Sequence, residues 1–581
     1  MAALLLTAPV GCGPTPESIE DNSTGSPSTT QTKPFALHDV TVAAGIDFVH
    51  ETSSSTDYHM PDIMGYGCGV FDFDRDGDLD LIFASGGGSA GAGEMPVVWP
   101  GTVFQQDAPE HFTRMPTSTT TPEGRADNAT AMGIAIGDVN NDGWPDVYIT
   151  HFGNDQLYLN NAGTGFQNVT AAAGISNPRW GTSACFVDFD RDGWLDLYVT
   201  NYVDYLPQKC VQLSGVNPDF CGPQRFKATR DCLFRNTTGE SPDRLVQFQD
   251  VTSASGVSEL PGKGLGVAAA DFTADGWQDI YVANDQEPNF LWVNQHDGTF
   301  REEAILLGCA TDHLGNSQAS MGVCVHDFDD NGLLDILVTH IDGERNTLYL
   351  GTTNGDFQDA TLEWPMCRQS LDQTGFGVAI ADLDSDGIDE VLVANGRVRR
   401  PDGATAAPAT LQSFWDPYRQ RALAHSPSGA SPISGHTGVF RGLIAEDFDN
   451  DGDADILLTS VSGPPTLLQN DHPASEAAIL LVQATDANLG SRDALGATVT
   501  LKTNSRTTSR IIQTCGSYLS AAVPVAKFSL ASTETVEEVS VLWPDGLREK
   551  FPAPTWNPSS TDRRPEHHRL ELERRRGIPI Q

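Results

Sequence analysis

The chain is poor in positive charge. It has 35 Lys and Arg against 78 Asp and Glu, a formal net charge of -43. A surface of that sign repels nucleic acid and anionic lipid, so readings that depend on binding phosphate are excluded first. No apolar run is long enough to cross a bilayer as a helix. The ten cysteines contain no C-x-x-C pair and therefore build no zinc framework. The H-E-x-x-H metal motif and the phosphate-binding P-loop are also missing, and no catalytic set stands out. What the chain has in excess is acid, either as a solvated halophile-type surface or as cation sites. The distribution favours cation sites: 29 of the 78 acidic residues fall in seven nine-residue segments.

Those segments share one pattern. They are Asp72–Asp80, Asp138–Asp146, Asp188–Asp196, Asp271–Asp279, Asp327–Asp335, Asp382–Glu390 and Asp447–Asp455, with starts 66, 50, 83, 56, 55 and 65 residues apart. The spacing suits a unit of about four strands, as in a propeller blade. Five residues before each segment stands a tiny residue: Gly67, Gly133, Ser183, Gly266, Gly322, Gly377 and Gly442. Seven inner strands crowding one axis need such close approach. After each segment comes an apolar run rich in strand formers, such as Val147-Tyr148-Ile149. A third strand recurrently ends at Asn160, Asn236, Asn294 or Asn470. The N-terminal stretch Phe35–Ile46 reads like the fourth strands of later units, whereas the last unit lacks one. This predicts that the N-terminal strand completes the seventh blade and closes the ring. The fold class expected is all-β: a seven-bladed β-propeller over 35–472, then a small β-rich domain over 473–553.

A D-x-D-x-D-G-x-x-D segment offers oxygen ligands at alternate positions, and its glycine permits a sharp turn, which is the chemistry calcium requires. The candidate ligands in the first segment are Asp72, Asp74, Asp76, Asp78 through its carbonyl, and Asp80. In the second and third they are Asp138, Asn140, Asp142 and Asp146, then Asp188, Asp190, Asp192 and Asp196. The fourth offers Asp271, Asp275 and Asp279. The fifth and sixth offer Asp327, Asp329, Asn331 and Asp335, then Asp382, Asp384, Asp386 and Glu390. The seventh offers Asp447, Asp449, Asp451, Asp453 and Asp455. Up to seven structural calcium ions are expected, with the weakest site at the fourth segment, where Thr273 replaces an aspartate. A lone segment of this kind is often only a solvated turn; seven in register point to cations.

Five residues past each segment stands another repeated polar residue: Ser85, His151, Asn201, Asn284, His340, Asn395 and Ser460. This set reads either as a ligand face opposite the loops or as ordinary turn starters. The insertion from Tyr202 to Arg230 begins on the same side and could form a lid or a partner contact. Cys68, Cys185 and Cys324 are expected in the core. Cys210, Cys221 and Cys232 are disulfide candidates, and Cys309 with Cys367 is another possible pair. Residues 1–34 read as an export segment and tether, in which apolar Ala2 to Val10 leads to Cys12. Cys12 is either a lipidated terminus or part of an ordinary signal peptide. The tail over 554–581 is rich in Pro, Arg and His and reads as disordered.

Strands are expected at Ala478–Ala484, Ala497–Leu501, Arg510–Thr514 and Val539–Trp543, the last ending in the turn Trp543-Pro544-Asp545-Gly546. The runs LGSRDALGATVTL, CGSYLSAAVPVAKFSLAS and VSVLWPDGLREKF resemble an ASPIC/UnbV domain. Preceded by FG-GAP/VCBS-type repeats, they make the chain similar to the cartilage acidic protein-like family. It departs from that family at Phe528-Ser529-Leu530 and at Arg397. The resemblance implies an exported calcium-binding propeller, similar to the integrin α-subunit head, and no defined reaction. Three functions follow as expectations. The first is a binding or adhesion module for protein or glycan at the cell surface or in the periplasm. The second is a polysaccharide lyase or hydrolase on a propeller scaffold. The third is a scaffold lipid-anchored through Cys12, the one membrane attachment considered.

Overall fold

The computed structural model describes residues 37–50, 58–84, 101–109, 111–115, 130–211, 217–241, 243–398, 409–414, 436–471, 478–531, 533–554 and 569–580. The expectations for Cys12, the tether and Ser85 lie outside these residues. Strands dominate, and the α-helices Met60–Met64, Ala304–Leu307 and Pro365–Gln369 have at most five residues each.

Each acidic segment is the loop between the first and second strands of one antiparallel sheet. The seven sheets begin at Cys68–Phe71, Thr130–Gly137, Gly181–Val187, Gly264–Ala270, Val323–His326, Gly375–Ala381 and Phe440–Glu446. Six have four strands, and the sixth has three among the described residues. The first strands touch one another in chain order. The strand Phe440–Glu446 touches both its predecessor and Cys68–Phe71, so the strands surround one axis. The fold is a β-propeller. Leu37–Asp39 pairs antiparallel with Thr466–Asn470, Leu37 opposite Asn470, and is the outer strand of the last sheet.

The tiny residues mark close approach, as the sequence pattern requires. A methyl group on Gly322 would stand 2.0 Å from the Phe376 carbonyl oxygen of the next sheet. The asparagines ending the third strands also have a structural task. The Nδ2 of Asn160, Asn236, Asn294 and Asn470 donates to the carbonyl of Phe73, Val139, Phe189 and Leu383 respectively, each on the preceding sheet, at 2.9 Å. Gln106 takes the same place in the first sheet and donates to Phe448 of the last. These side chains staple blade to blade.

The C-terminal domain has two sheets, one around Ala478–Asp486 and one around Thr498–Thr503. The expectation of a disordered tail fails over 569–580. Arg569–Glu573 lies parallel to Ala478–Asp486, and Ile578–Pro579 pairs with Arg548–Phe551. An open edge of each sheet captures these residues despite their polar composition.

The segment Thr514–Val523, between two strands of this domain, enters the propeller and binds its inner strands. Thr514 Oγ1 donates to Ile136 O at 2.8 Å, and Ala521 N to Cys68 O at 2.9 Å. Ile134 N donates to Leu519 O at 3.0 Å, and Ser517 Oγ to Leu443 O at 3.1 Å. Tyr518 and Leu519 are buried at the tip, where Tyr518 meets Phe376 edge-on at 4.8 Å and donates to Met64 O. Gly67 is tiny for this segment: a methyl there would stand 1.7 Å from Leu519 O. The segment is a plug in the axial channel.

Candidate metal centres

The seven loops share one backbone path. Position four is left-handed in every loop, from Ser385 (φ 51) to Arg191 (φ 62), and the following glycine has positive φ throughout, as at Gly77 (φ 97). Non-glycine residues rarely adopt that conformation unless the surroundings impose it. Here it curls the chain so that carboxylates at positions one, three and nine converge. Position one is held by its own loop: Asp72 accepts from Asp76 N and Gly77 N, both at 3.1 Å. Position nine is held from both sides: Asp80 accepts from Phe73 N at 2.7 Å and from Gln106 N at 2.8 Å. The same pair of bonds recurs at Asp146, Asp196, Asp279, Asp335 and Asp455.

Five loops bring three carboxylates together, with one oxygen of each within 4.8 Å of the others. They are Asp72–Asp74–Asp80, Asp188–Asp190–Asp196, Asp327–Asp329–Asp335, Asp382–Asp384–Glu390 and Asp447–Asp449–Asp455. Loop two has the Asn140 amide at position three. Loop four has Thr273, whose hydroxyl donates to Asp279 at 3.1 Å and so occupies a ligand oxygen. Burial, then repulsion from neighbouring carboxylates, pushes several trio members toward the protonated form. Asp72 is raised to about 6, Asp80 to about 7, and Asp335 and Asp455 to about 8. The Oδ1 atoms of Asp74, Asp188 and Asp384 are buried and accept no hydrogen bond. Converging carboxylates with orphaned, buried oxygens fit a hard divalent cation with oxygen ligands, and calcium suits the flexible geometry better than magnesium.

Position five does not join these trios. One oxygen of Asp76, Asp142, Asp192, Asp275, Asn331, Asp386 and Asp451 instead accepts the backbone N–H two residues on, at 2.7–3.1 Å. Asp453, at position seven of the last loop, has a buried oxygen without a donor and is raised to about 9, by burial and then by Asp451.

Basic side chains of the propeller itself reach candidate ligand carboxylates in two loops. Arg235 holds Asp190 at 2.5 Å and Asp192 at 3.0 Å. His296 lies 2.8 Å from Asp275 and stacks on Trp277. Sequence reading missed Arg235. Its signal is positional: Gln105 and Gln469, also one residue before the side chain that staples to the preceding blade, reach Asp74 and Asp449.

The residues read as a possible ligand face are buried, with exposures of 0–1% for His151, Asn201, Asn284, His340 and Asn395. His151 N donates to Asp155, and His340 Nε2 lies 3.1 Å from Thr347 Oγ1. Asn201 Nδ2 donates to Arg230 O, Asn284 Nδ2 to Pro288 O, and Asn395 Nδ2 to Gln412. They anchor the connections leaving the second strands, which fold over them and exclude a ligand. Cys210 and Cys221 form a disulfide, whereas Cys232 is a thiol 3.2 Å from Arg179. Cys309 and Cys367 lie unpaired in separate apolar clusters. Cys68, Cys185 and Cys324 are buried, as expected.

Comparison with known proteins agrees with this architecture. A family model described as FG-GAP-like repeat matches residues 72–149, 138–199, 271–338 and 327–393, and one described as ASPIC and UnbV matches 487–561. Cartilage acidic protein 1 of Homo sapiens is 27% identical over 305 residues, covering 52% of this chain and 44% of that protein. The Mus musculus protein is 25% identical over 434 residues, covering 72% and 62%. The chain thus spans less than two thirds of the length of either relative. A solved Agrocybe aegerita lectin that recognises non-reducing terminal N-acetylglucosamine aligns with a TM-score of 0.34 at 14% identity, covering 60% of this chain and 80% of that one. With repeats of the first kind followed by a domain of the second, the chain belongs to the cartilage acidic protein-like family.

Proposed function

We propose that the protein is an exported, calcium-stabilised propeller. It would present the end opposite its loops to a protein or glycan at the cell surface or in the periplasm. The observation that carries the calcium part is the recurrence of the carboxylate trio in five loops of one register. Loops two and four lack the third carboxylate. Thr273 bonded to Asp279 and His296 beside Asp275 support the weakest binding at loop four.

The binding part rests on what the fold leaves open. The C-terminal domain covers loop ends: Arg492 donates to Gly193 O and Ser509 N to Asp327. The plug fills the axis. At the other end stands the Tyr202–Arg230 insertion, braced by Cys210–Cys221 and exposing Leu206 and Val211. Beside it a cavity of about 430 Å³ is lined by Arg179, Arg230, Asp250, Thr252, Ser253 and Ser258. Two guanidinium groups with hydroxyls suit an acidic or hydroxyl-rich ligand. The lyase or hydrolase reading calls for a deep axial pocket, where Tyr518 sits instead.

Glycan arrays and pull-downs with the full chain, in calcium and in chelator, test the proposal. A calcium-dependent ligand that Arg179→Ala and Arg230→Ala weaken supports it. A clean screen on both sinks the adhesion reading.

A further inference from the structure

Cys185 and Cys515 are 330 residues apart in sequence and adjacent in space. Cys185 is on the inner strand of the third sheet and is 0% exposed. Cys515 is the second residue of the plug, is partly exposed, and packs on the cluster that includes Cys185, Val187, Val267 and Ala269. The plug is anchored on both sides of it, by Thr514 Oγ1 to Ile136 O at 2.8 Å and by Leu519 N to Ser183 Oγ at 3.2 Å. The proximity of the two sulfurs pushes the Cys185 thiol's pKa up and the Cys515 thiol's down. The remaining buried thiols lack this arrangement: Cys68 meets Ser520, and Cys232 meets Arg179.

We propose that Cys185 and Cys515 are a cross-linking site whose disulfide locks the C-terminal plug into the propeller channel. The bond forms by exchange with an external disulfide, either of low molecular weight or carried by an oxidoreductase. The more accessible Cys515 thiolate attacks that disulfide, forms a mixed disulfide and releases one thiol. The Cys185 thiolate then attacks the Cys515 sulfur and releases the second. Two protein thiols are oxidised, one external disulfide is reduced to two thiols, and the two protons pass to those thiols. Oxidation accompanies docking, because Cys185 is sealed once the plug is seated. The Cys210–Cys221 disulfide places the chain among proteins made where such oxidants are present. Closing so long a loop constrains the unfolded chain strongly.

The test uses the full chain equilibrated with oxidised glutathione, alkylated without reduction, digested and read by mass spectrometry. The expected result is a peptide pair joined through Cys185 and Cys515 in most molecules, absent from Cys515→Ser. A second readout is the thermal midpoint in a Cys210→Ser, Cys221→Ser background, which removes the other bridge. There, dithiothreitol lowers the midpoint, and Cys515→Ser abolishes the difference. Recovery of both cysteines singly alkylated from the oxidised protein overturns the proposal and leaves only neighbouring thiols. A dithiothreitol effect that persists in Cys515→Ser overturns it equally.

Discussion

Stripping calcium should invert how stability depends on pH. In the metal-free fold, burial and then neighbouring carboxylates raise Asp335 and Asp455 to about 8, and burial with the repulsion of Asp271 and Asp275 raises Asp279 likewise. The ordinary value is 3.8. Between pH 6 and 7 these three groups therefore hold protons in the folded chain and release them on unfolding. Stability of the stripped protein rises as pH falls through that window. Each carboxyl contributes about 1.4 kcal/mol per pH unit, so three contribute about 4 kcal/mol. For a chain of 581 residues that is a midpoint shift of roughly 3 °C. Bound calcium reverses the sign. Its charge keeps the carboxylates ionised and their pKa values low, so the loaded fold is flat from pH 8 to 6 and weakens on further acidification. The assay is thermal unfolding of metal-stripped and calcium-loaded protein at pH 6, 7 and 8. Added salt screens the general surface repulsion of a chain with net charge -43. A stripped protein no more stable at pH 6 than at pH 7 would refute the reasoning.

Arg235→Gln should tighten calcium binding at the third loop in equilibrium dialysis, because it frees Asp190 and Asp192; an unchanged affinity means that Arg235 does not compete. Gly67→Ala places a methyl 1.7 Å from Leu519 O. It should cost about 1–3 kcal/mol and expose the plug to limited proteolysis. Asn294→Ala removes bonds to Phe189 O and Gln278 O and leaves buried carbonyls unpaired, which should lower stability in urea by about 1–3 kcal/mol.

What the sequence made legible was what repeats. Loops, tiny residues and third-strand asparagines recur in register, so each instance corroborates the others. The N-terminal strand could be placed because its wording matches strands elsewhere. The plug has no such support. Thr514–Val523 reads as an irregular link between strands, and its partners are Cys68, Ile134, Ile136 and Leu443, far away in sequence. His151 and His340 were open to two readings, a ligand face and ordinary turn starters. Each stands at the end of a second strand, and the connection that follows folds back over it, as Asn346 and Thr347 do for His340, which favours the turn reading. Non-local pairing also hid the 569–580 strands, which owe their structure to open sheet edges.

The C-terminal domain and the cations act on the same loops without competing for the same atoms. Arg492 bonds to the Gly193 carbonyl, Arg506 to Asp330 and the Gly387 carbonyl, and Arg510 to Asp389. None of these acceptors belongs to a carboxylate trio. Ser509 N does touch a trio member, Asp327, but as a neutral donor that fixes its orientation and leaves its charge for the ion. Arg235, which does bind a trio carboxylate, belongs to the propeller itself. Calcium bound as proposed would therefore favour the same loop conformation as the domain, and two ligands that favour one conformation strengthen each other by the same factor in both directions. On this reasoning chelation should loosen the plug, and a chain whose plug is displaced should bind calcium more weakly. Gly67→Ala tests this: a loss of calcium affinity while the propeller stays folded supports the coupling, and unchanged affinity with the plug open to proteolysis refutes it.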